Sequence, residues 1–217
     1  MIVTIAGEKG GPGKTTLTIN VAVELARLGR DVLIVDADKT RNATRWAADR
    51  QEAGHEPRVA LVEKRGKLNY ALQDLAERYD IVLVDAPGHD SEEARTAMGV
   101  ADLLLIVMRP SQFDLDTAAT TSEVIRKAKD FNPGLISRTV LTQVVAQVGN
   151  KEREEAVGYL EDFPELEPLP TAIHTRVVYR STVSEGLSVI ESSNSKAKAE
   201  ISVITSEILD LLKETDS

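Results

Sequence analysis

The chain has 217 residues, of which 42% are hydrophobic and 4% aromatic, and it carries a formal net charge of −9. This length and composition are typical of a globular domain with its own buried core. The chain contains no cysteine, which excludes a disulfide framework, a thiolate zinc site and an iron–sulfur cluster and favours the cytoplasm. The negative charge excludes general attraction to nucleic acid or anionic membranes, so a polyanionic partner needs a local basic patch.

Hydrophobic runs alternate with helical repeats along the chain, and no run approaches the roughly 20 residues needed to cross a bilayer. This alternation predicts an α/β fold, with a doubly wound, mostly parallel sheet in a single domain over residues 1–217. Strands are expected at Ile2–Ala6, Val32–Asp36, Val59–Val62, Ile81–Asp85, Leu103–Val107, Thr139–Val145 and Leu169–Ile173. Helices are expected at Thr15–Leu28, Asn42–Glu52, Leu68–Arg78, Ser91–Gly99, Asp114–Asp130, Lys151–Asp162 and Lys196–Lys213.

The first strand leads into a glycine-rich loop that matches the phosphate-loop pattern G-x-x-x-x-G-K-[ST] from Gly7 to Thr15. Glycines allow backbone N–H groups to point at phosphate oxygens, and the N-terminus of the following helix adds positive potential. In such a loop Lys14 reaches the β- and γ-phosphates and the Thr15 hydroxyl binds Mg²⁺. The predicted nucleotide-binding residues are Gly10, Gly11, Pro12, Gly13, Lys14, Thr15 and Thr16.

Further charged residues accompany this loop. Lys9 adds a cation to a loop that already has one lysine, which suggests a second task for it. Asp36 and Asp85 each end a hydrophobic strand, and Asp38 follows shortly after the first of these. An aspartate at a strand end is often only a helix cap, but the carboxyl ends of parallel strands meet at one edge, where nucleotide sites form. We therefore predict that these acids support Mg²⁺, with a switch-like loop starting at Ala86-Pro87-Gly88.

The segment Lys9–Thr16, which reads Lys-Gly-Gly-x-Gly-Lys-Thr-Thr, resembles the deviant Walker A box of the ParA/MinD ATPases, a P-loop fold of the SIMIBI type. The resemblance covers nearly the whole chain, and its C-terminal part is most similar to small ParF-type (type Ib) plasmid partition proteins. The other matching segments are the D-x-D box Asp36–Asp38, the Walker B segment Val84–Gly88, the turn Arg109–Ser111, and Gly186–Val189 preceded by Arg176, Tyr179 and Arg180.

This resemblance implies an ATPase that binds Mg·ATP, forms a nucleotide-sandwich homodimer and hydrolyses ATP slowly to ADP and phosphate. Lys9 would cross the dimer interface to the partner's phosphates, because two facing nucleotides need added positive charge. Lys14 would stabilise charge on the transferred phosphoryl group, and Asp38 would orient the attacking water. Asp36 and Asp85 would not bind Mg²⁺ directly but would support the groups that do.

Two positions depart from the family pattern. The family usually continues with Pro-Gln after the D-x-D box, whereas Lys39–Asn42 stands here, so we expect the hydrolysis rate and the response to partners to differ. Pro12 occupies the variable position of the loop, where its missing N–H removes one phosphate donor. We expect ATP binding to survive, because the other amides and both lysines remain.

The C-terminal region bears on the partners. The last helix carries apolar residues at helical spacing opposite an acidic face, which predicts docking on the core rather than on a membrane. The resemblance implies non-specific, salt-sensitive DNA binding through basic residues that dimerisation brings together. We expect no sequence-specific operator binding by this chain, and expect a ParB-like centromere-binding adaptor to supply it and to stimulate hydrolysis. The predicted DNA-binding residues are Arg176, Arg180, Lys196 and Lys198, and the apolar ones are Ile201, Ile204, Ile208, Leu211 and Leu212.

Two interpretations of the function remain open. The first is a Mg-ATP-dependent dimerising switch at the nucleoid that partitions DNA, most typically a plasmid, and whose dimers could extend into filaments. A related switch would position a protein cargo. The second is a metabolic ATP-dependent ligase or kinase on the same fold. Lys9 has no evident use in a monomeric transferase, so the switch is favoured.

Overall fold

The computed structural model describes residues 1–7, 11–88, 90–147 and 151–215. Within these residues the chain forms one sheet of six strands: β1 (Ile2–Gly7), β2 (Val32–Asp36), β3 (Ala60–Glu63), β4 (Ile81–Gly88), β5 (Leu103–Met108) and β6 (Ile136–Leu141). Their spatial order is β3-β2-β4-β1-β5-β6, and all five neighbouring pairs are parallel. The predicted α/β fold with a parallel sheet is confirmed.

Helices cover both faces of this sheet, as crossover connections between parallel strands require. Two 3₁₀ turns, Pro164–Leu166 and Val189–Glu191, add to them in the described residues. The α-helices are α1 (Lys14–Arg27), α2 (Asn42–Glu52), α3 (Asn69–Ala76), α4 (Glu92–Met98), α5 (Gln112–Leu115), α6 (Ala118–Phe131), α7 (Glu152–Leu160), α8 (Val178–Ser184) and α9 (Ser195–Thr215).

The core has two layers, one on each face of the sheet. Side chains of β1 alternate between them, so that Val3 and Ile5 pack in the layer of α1 and α9, while Ile2 and Ala6 pack in the layer of α3 and α4. Trp46 of α2 is 1% exposed and belongs to the first layer. Strands buried on both faces explain why the sequence shows continuous hydrophobic runs rather than alternation.

Helix α9 packs along α1, and the prediction of a docked last helix is confirmed. Its apolar stripe is almost completely buried, with Ile201, Ile204 and Ile208 at 0% exposure and Leu212 at 1%. This burial accounts for the whole hydrophobic stripe except the partly buried Leu211. In the described ranges, no helix combines the length and the hydrophobicity that a membrane-spanning segment needs.

Three strand predictions were wrong: two strands end at other residues than expected, and one expected strand does not form. Strand β6 ends at Leu141, opposite Met108 of β5, because its partner ends there, although the β-branched run of the sequence continues. The segment Leu169–Ile173 forms no strand, and the chain nearby makes only the isolated bridges Thr139–Pro168 and Val144–His174. Ala86-Pro87-Gly88 lies inside β4 rather than in a loop, since Gly88 still pairs with Gly7 after a shift of register.

Two helix predictions also needed correction. The expected single helix Asp114–Asp130 is divided into α5 and α6 around Asp116 and Thr117. Asp114 binds Arg109, whose Nε lies 2.7 Å from Asp114 Oδ2, and this pair fixes the short first helix against the turn after β5. Helix α8 was missed, because its seven residues are too short and too rich in β-branched side chains to show a helical repeat.

Candidate nucleotide-binding site

The carboxyl ends of three adjacent strands bring the predicted site residues to one edge of the sheet. Strand β1 leads into the phosphate loop, β2 ends at Asp36 and β4 carries Asp85, and these two aspartates are register partners. At the end of β1, a Cβ on Gly7 would lie 2.4 Å from the carbonyl oxygen of Val107. Only glycine allows this approach, so the loop leaves the sheet from a closely packed position.

The phosphate loop ends at the first turn of α1. Gly11 and Gly13 have φ values of 88° and 106°, a region that favours glycine. No side chain of the described residues caps this helix end, which is therefore suited to an anion. The predicted residues Lys9 and Gly10 lie outside the described residues.

A cavity of about 500 Å³ opens beside this helix end. Lys14 and Thr15 line one side, and Asp38 with Pro87 and Gly88 of β4 lines the other. The cavity thus brings together residues from three separate parts of the chain that were predicted to act on one nucleotide. Its full lining is Gly11, Pro12, Gly13, Lys14, Thr15, Thr16, Asp38, Thr40, Asn42, Pro87 and Gly88.

Thr15 and Asp85 are joined directly. The Thr15 hydroxyl donates a hydrogen bond of 2.7 Å to Asp85 Oδ2, while Asp85 Oδ1 is buried without a hydrogen-bond partner among the described residues. Burial raises the pKa of Asp85 to about 7, and the charges of Asp36 and Asp38 add to the rise, whereas the Thr15 hydrogen bond and Lys14 lower it. An adjacent cation would favour the ionised form of this carboxyl.

These residues fit Mg²⁺ held mainly by a nucleotide. A Thr15 hydroxyl that donates to Asp85 keeps its oxygen lone pairs for a cation, and the unpartnered Asp85 oxygen can accept from a water bound to that cation. The described residues contain no group of three or more His, Cys, Asp or Glu side chains arranged to hold a metal on their own.

Asp36 is completely buried, and its carboxylate is occupied by hydrogen bonds from the protein. Oδ1 accepts from the backbone N–H of Asp38 at 3.1 Å, and Oδ2 accepts from the backbone N–H and the hydroxyl of Thr44 at 2.9 and 2.7 Å. Asp36 therefore fixes the start of α2 and the loop before it.

Asp38 lies in the loop between β2 and α2 and is one of the residues that line the 500 Å³ cavity. Asp38 Oδ1 accepts from the backbone N–H of Thr40 at 2.9 Å. The Asp38 carbonyl oxygen accepts from Arg65 Nη2 at 2.8 Å and from the backbone N–H of Arg41 at 3.0 Å. Arg65 lies just after β3, and nothing in its sequence context signals that it reaches this loop.

The segment after β6 is joined to the phosphate loop by hydrogen bonds from two side chains. The Thr142 hydroxyl donates to the Pro12 carbonyl oxygen at 2.5 Å, and Gln143 Nε2 donates to the Gly11 carbonyl oxygen at 2.7 Å. Gln143 has a φ of 54°, an uncommon conformation for a residue other than glycine. We did not predict these two residues, although their place at the carboxyl end of a strand was a usable signal.

A second cavity of about 350 Å³ lies next to the phosphate loop and is lined by residues from Gly11–Gly13, Thr16 and the segment 173–180. Glu200 of α9 contacts side chains of the segment 173–180. Its Oε1 accepts from Arg176 Nη2 at 2.6 Å and lies 2.9 Å from His174 Nδ1, and its Oε2 accepts from the Tyr179 hydroxyl at 2.9 Å. Helix α9 is thereby connected to the nucleotide side of the molecule.

The predicted DNA-binding residues occupy different environments. Arg176 is ion-paired with Glu200 and is 18% exposed, whereas Arg180 is exposed at the rim of the 350 Å³ cavity. Lys196 and Lys198 lie in the first turn of α9, and Lys196 is exposed. The charge of Arg176 is thus balanced within the protein, whereas Arg180 and Lys196 are exposed.

The segment Gly186–Val189 has a structural role. Asn20 of α1 donates through Nδ2 to the Thr16 carbonyl oxygen at 2.7 Å, and its Oδ1 accepts from Ser188 Oγ and the Val189 N–H, both at 2.8 Å. One buried amide therefore connects the first turn of the phosphate-loop helix to the C-terminal part of the chain.

Comparison with known proteins agrees with this geometry. Residues 3–196 match the model of the CobQ/CobB/MinD/ParA nucleotide binding domain. The chain is 30% identical over 209 residues to maintenance of carboxysome distribution protein A of Halothiobacillus neapolitanus, with 94% of each chain covered. It is 34% identical over 165 residues to the chromosome-partitioning ATPase Soj of Thermus thermophilus, with 61% of this chain and 65% of that one covered.

The crystal structure of the cell division ATPase MinD of Pyrococcus furiosus is similar, with a TM-score of 0.76, 25% identity, and coverage of 97% of this chain and 98% of that one. Both Soj and this MinD are named as ATPases, and the similar solved structures include one ATP complex and one Mg-ADP complex. Because the family model matches residues 3–196, the chain belongs to the CobQ/CobB/MinD/ParA family of nucleotide-binding domains.

Proposed function

We propose that this protein is a Mg-ATP-dependent ATPase switch that dimerises with ATP bound and partitions DNA, most typically a plasmid. The observation that carries the proposal is the arrangement of Lys14, Thr15 and Asp38 around one 500 Å³ cavity, with Asp85 bonded to Thr15 beneath it. A phosphoryl group, its metal ion and an attacking water all need a place in such a site.

Each residue has a distinct task in this proposal. The first-turn N–H groups of α1 and the Lys14 ammonium bind the phosphates and stabilise charge that develops on the γ-phosphoryl oxygens. Mg²⁺ supplies further neutralisation of the phosphates. The Thr15 hydroxyl and, through water, Asp85 hold the metal in place, while Asp38 accepts a hydrogen bond from the attacking water and orients it. Asp36 keeps the loop before α2 in position.

Dimerisation is proposed to complete the site. Lys9 would extend to the phosphates bound by the partner subunit, which explains a second lysine in a loop that Lys14 already serves. DNA would bind without sequence preference to Arg180, Lys196 and Lys198, with Arg176 contributing only if it leaves Glu200. A ParB-like adaptor would bring the specific DNA and stimulate hydrolysis, and association with the nucleoid would follow from DNA binding.

A second candidate function is the positioning of a protein cargo. It is favoured by the match over 94% of both chains to a protein named for carboxysome distribution. Both functions use the same ATP-dependent dimer, and they differ only in what the adaptor carries. A metabolic ligase or kinase is not favoured, because the residues around the 500 Å³ cavity are accounted for by the nucleotide and its metal.

The test is binding to duplex DNA of arbitrary sequence, at low and moderate salt, with ADP and with ATP plus Mg²⁺. Lys9→Ala is the test variant, and Arg78→Ala, on an exposed pair with Asp74, is the matched control. We expect ATP-dependent, salt-sensitive binding that Lys9→Ala abolishes and Arg78→Ala retains. Turnover without any added metabolite, raised by DNA and an adaptor, separates the switch from a metabolic enzyme. An intact dimer that binds no DNA with either nucleotide would contradict DNA partition.

A further inference from the structure

We propose that Arg65 is a positioning residue for Asp38 and sets the rate of ATP hydrolysis without contacting the nucleotide. The proposal rests on the role given to Asp38 in the proposed function. It concerns the loop 36–41, which carries Asp38 and contains Lys39, Thr40 and Arg41 of the departure from the family pattern.

The guanidinium of Arg65 binds the backbone on both sides of Ala37. Its Nη1 donates to the carbonyl oxygen of Asp36, and its Nη2 donates to the carbonyl oxygen of Asp38 at 2.8 Å. The same Nη2 lies 4.0 Å from Asp36 Oδ1. A planar guanidinium donates in fixed directions, so these contacts fix the carbonyl groups of Asp36 and Asp38 relative to each other.

Glu63, the last residue of β3, extends this bracing to the far end of the loop. One of its carboxylate oxygens lies 3.5 Å from Arg65 Nη2, and the other accepts from Arg41 Nη2. Arg41 has a φ of 55°, and its backbone N–H donates to the same Asp38 carbonyl oxygen that Arg65 binds. The loop is therefore held between two arginines that share one glutamate.

Asp38 is one of the residues that line the 500 Å³ cavity. Its Oδ1 accepts a hydrogen bond from the backbone N–H of Thr40, within the same loop. The position of the carboxylate therefore depends on the position of the loop, and Arg65 connects the loop to β3. A misplacement of about 1 Å in a group that orients a reactant lowers a rate by up to about 100-fold.

Nucleotide affinity depends on other elements. Lys14 and Thr15 belong to α1. Thr142 and Gln143, which follow β6, hold the phosphate loop through hydrogen bonds to its carbonyl oxygens. Arg65 binds the carbonyl oxygens of Asp36 and Asp38 and lies beside Glu63. Loss of Arg65 should therefore lower the turnover number and leave the dissociation constant for ATP nearly unchanged, which a merely structural role would not produce.

The test compares Arg65→Ala, Arg65→Lys and Asp38→Ala with wild type. Arg78→Ala is the control, because that arginine is 65% exposed and pairs with Asp74 on the surface. Turnover at saturating Mg·ATP, the dissociation constant of a fluorescent ATP analogue and the melting temperature are measured for each. Turnover of Arg65→Ala is measured again with millimolar guanidinium chloride, and with sodium chloride at equal ionic strength.

We expect Arg65→Ala to lower turnover about 10-fold to 100-fold, with analogue binding changed less than about threefold. Guanidinium, but not sodium, should restore part of the turnover, and Arg65→Lys should retain an intermediate rate because an ammonium can keep one of the two carbonyl contacts. Arg78→Ala should behave as wild type.

Two results would overturn the proposal alone: wild-type turnover of Arg65→Ala while Asp38→Ala is impaired, or a parallel loss of turnover, nucleotide binding and melting temperature that guanidinium does not restore. If Asp38→Ala itself turns over at the wild-type rate, the role of Asp38 in the proposed function is wrong and the inference fails with it. The outcomes for the two variants thus distinguish the two failures.

Discussion

The Thr15 hydroxyl and Asp85 Oδ2 lie 2.7 Å apart, so the first turn of α1 and the end of β4 are joined beneath the 500 Å³ cavity. Asp85 is 1% exposed, and its second oxygen has no hydrogen-bond partner in the described part of the chain. An ionised carboxylate in this position is costly unless a cation lies near it. The charge of this site is therefore linked to the stability of the fold.

We expect protein stripped of nucleotide and Mg²⁺ by chelation to lose stability as the pH rises toward and through about 7. A carboxyl whose pKa is raised from 3.8 to about 7 on folding binds its proton more tightly in the folded state. Its contribution is present at low pH and is lost as the proton leaves. Asp85→Asn should remove this component. Urea unfolding of both proteins over this pH range measures it, and a difference between them that is independent of pH would contradict the assignment.

Thr142 gives a prediction about the phosphate loop. Replacing it with valine keeps the shape but leaves the buried Pro12 carbonyl oxygen without its 2.5 Å hydrogen bond. Loss of one such bond costs about 1 to 2 kcal/mol, which we expect to appear as weaker binding of a fluorescent ATP analogue. Thr142→Ser keeps the hydroxyl and serves as the control. Equal weakening by serine and valine would show that packing, rather than the hydrogen bond, matters.

Arg176 and Arg180 should respond differently to alanine substitution, although they are only four residues apart. Arg176 is paired with Glu200 and is 18% exposed, so its removal leaves a largely buried carboxylate near His174 and Tyr179. Arg180 is exposed. We expect Arg176→Ala to lower the melting temperature clearly and Arg180→Ala to leave it nearly unchanged while weakening DNA binding. Thermal unfolding checks the first point, and equal melting temperatures would contradict the structural role of Arg176.

Arg50 and Glu191 form a buried ion pair that connects α2 to the C-terminal segment. Arg50 is 3% exposed and reaches both Glu191 oxygens at 2.9 and 3.0 Å, and it also donates to the Gly186 and Pro57 carbonyl oxygens. Breaking a buried pair by removing one partner costs about 3 to 5 kcal/mol. We expect Glu191→Gln to destabilise the protein in urea unfolding, whereas Arg58→Ala, whose side chain is 91% exposed, should not.

The sequence was sufficient to predict the sheet and the edge where the site lies. Buried parallel strands appear as continuous hydrophobic runs, and the residues that follow their carboxyl ends must meet, which is why Asp36 and Asp85 were found. The ends of strands were less predictable. Strand β6 stops at Leu141 because its neighbour β5 stops at Met108, a limit imposed by another part of the chain.

Contacts between distant side chains and backbone carbonyls could not be predicted. Arg65, Thr142 and Gln143 belong to no short motif, and their partners are backbone oxygens that the sequence does not distinguish. The same limit applies to Arg176, whose ion pair with Glu200, a residue of α9, was not predicted. The positive charge of Arg176 is evident from the sequence, but its neutralisation by Glu200 within the protein is not.

The position of α9 against α1 has a consequence for the synthesis of the protein on the ribosome. Leu17 and Val21 of the phosphate-loop helix share a core layer with Ile201 and Ile208. Asn20 Oδ1 accepts its hydrogen bonds from Ser188 and Val189, which are synthesised much later. Helix α1 emerges early but cannot bury its outer face until nearly the whole described chain has been made. We therefore expect a growing chain to acquire stable nucleotide binding only late in translation, after its last helix is free of the exit tunnel.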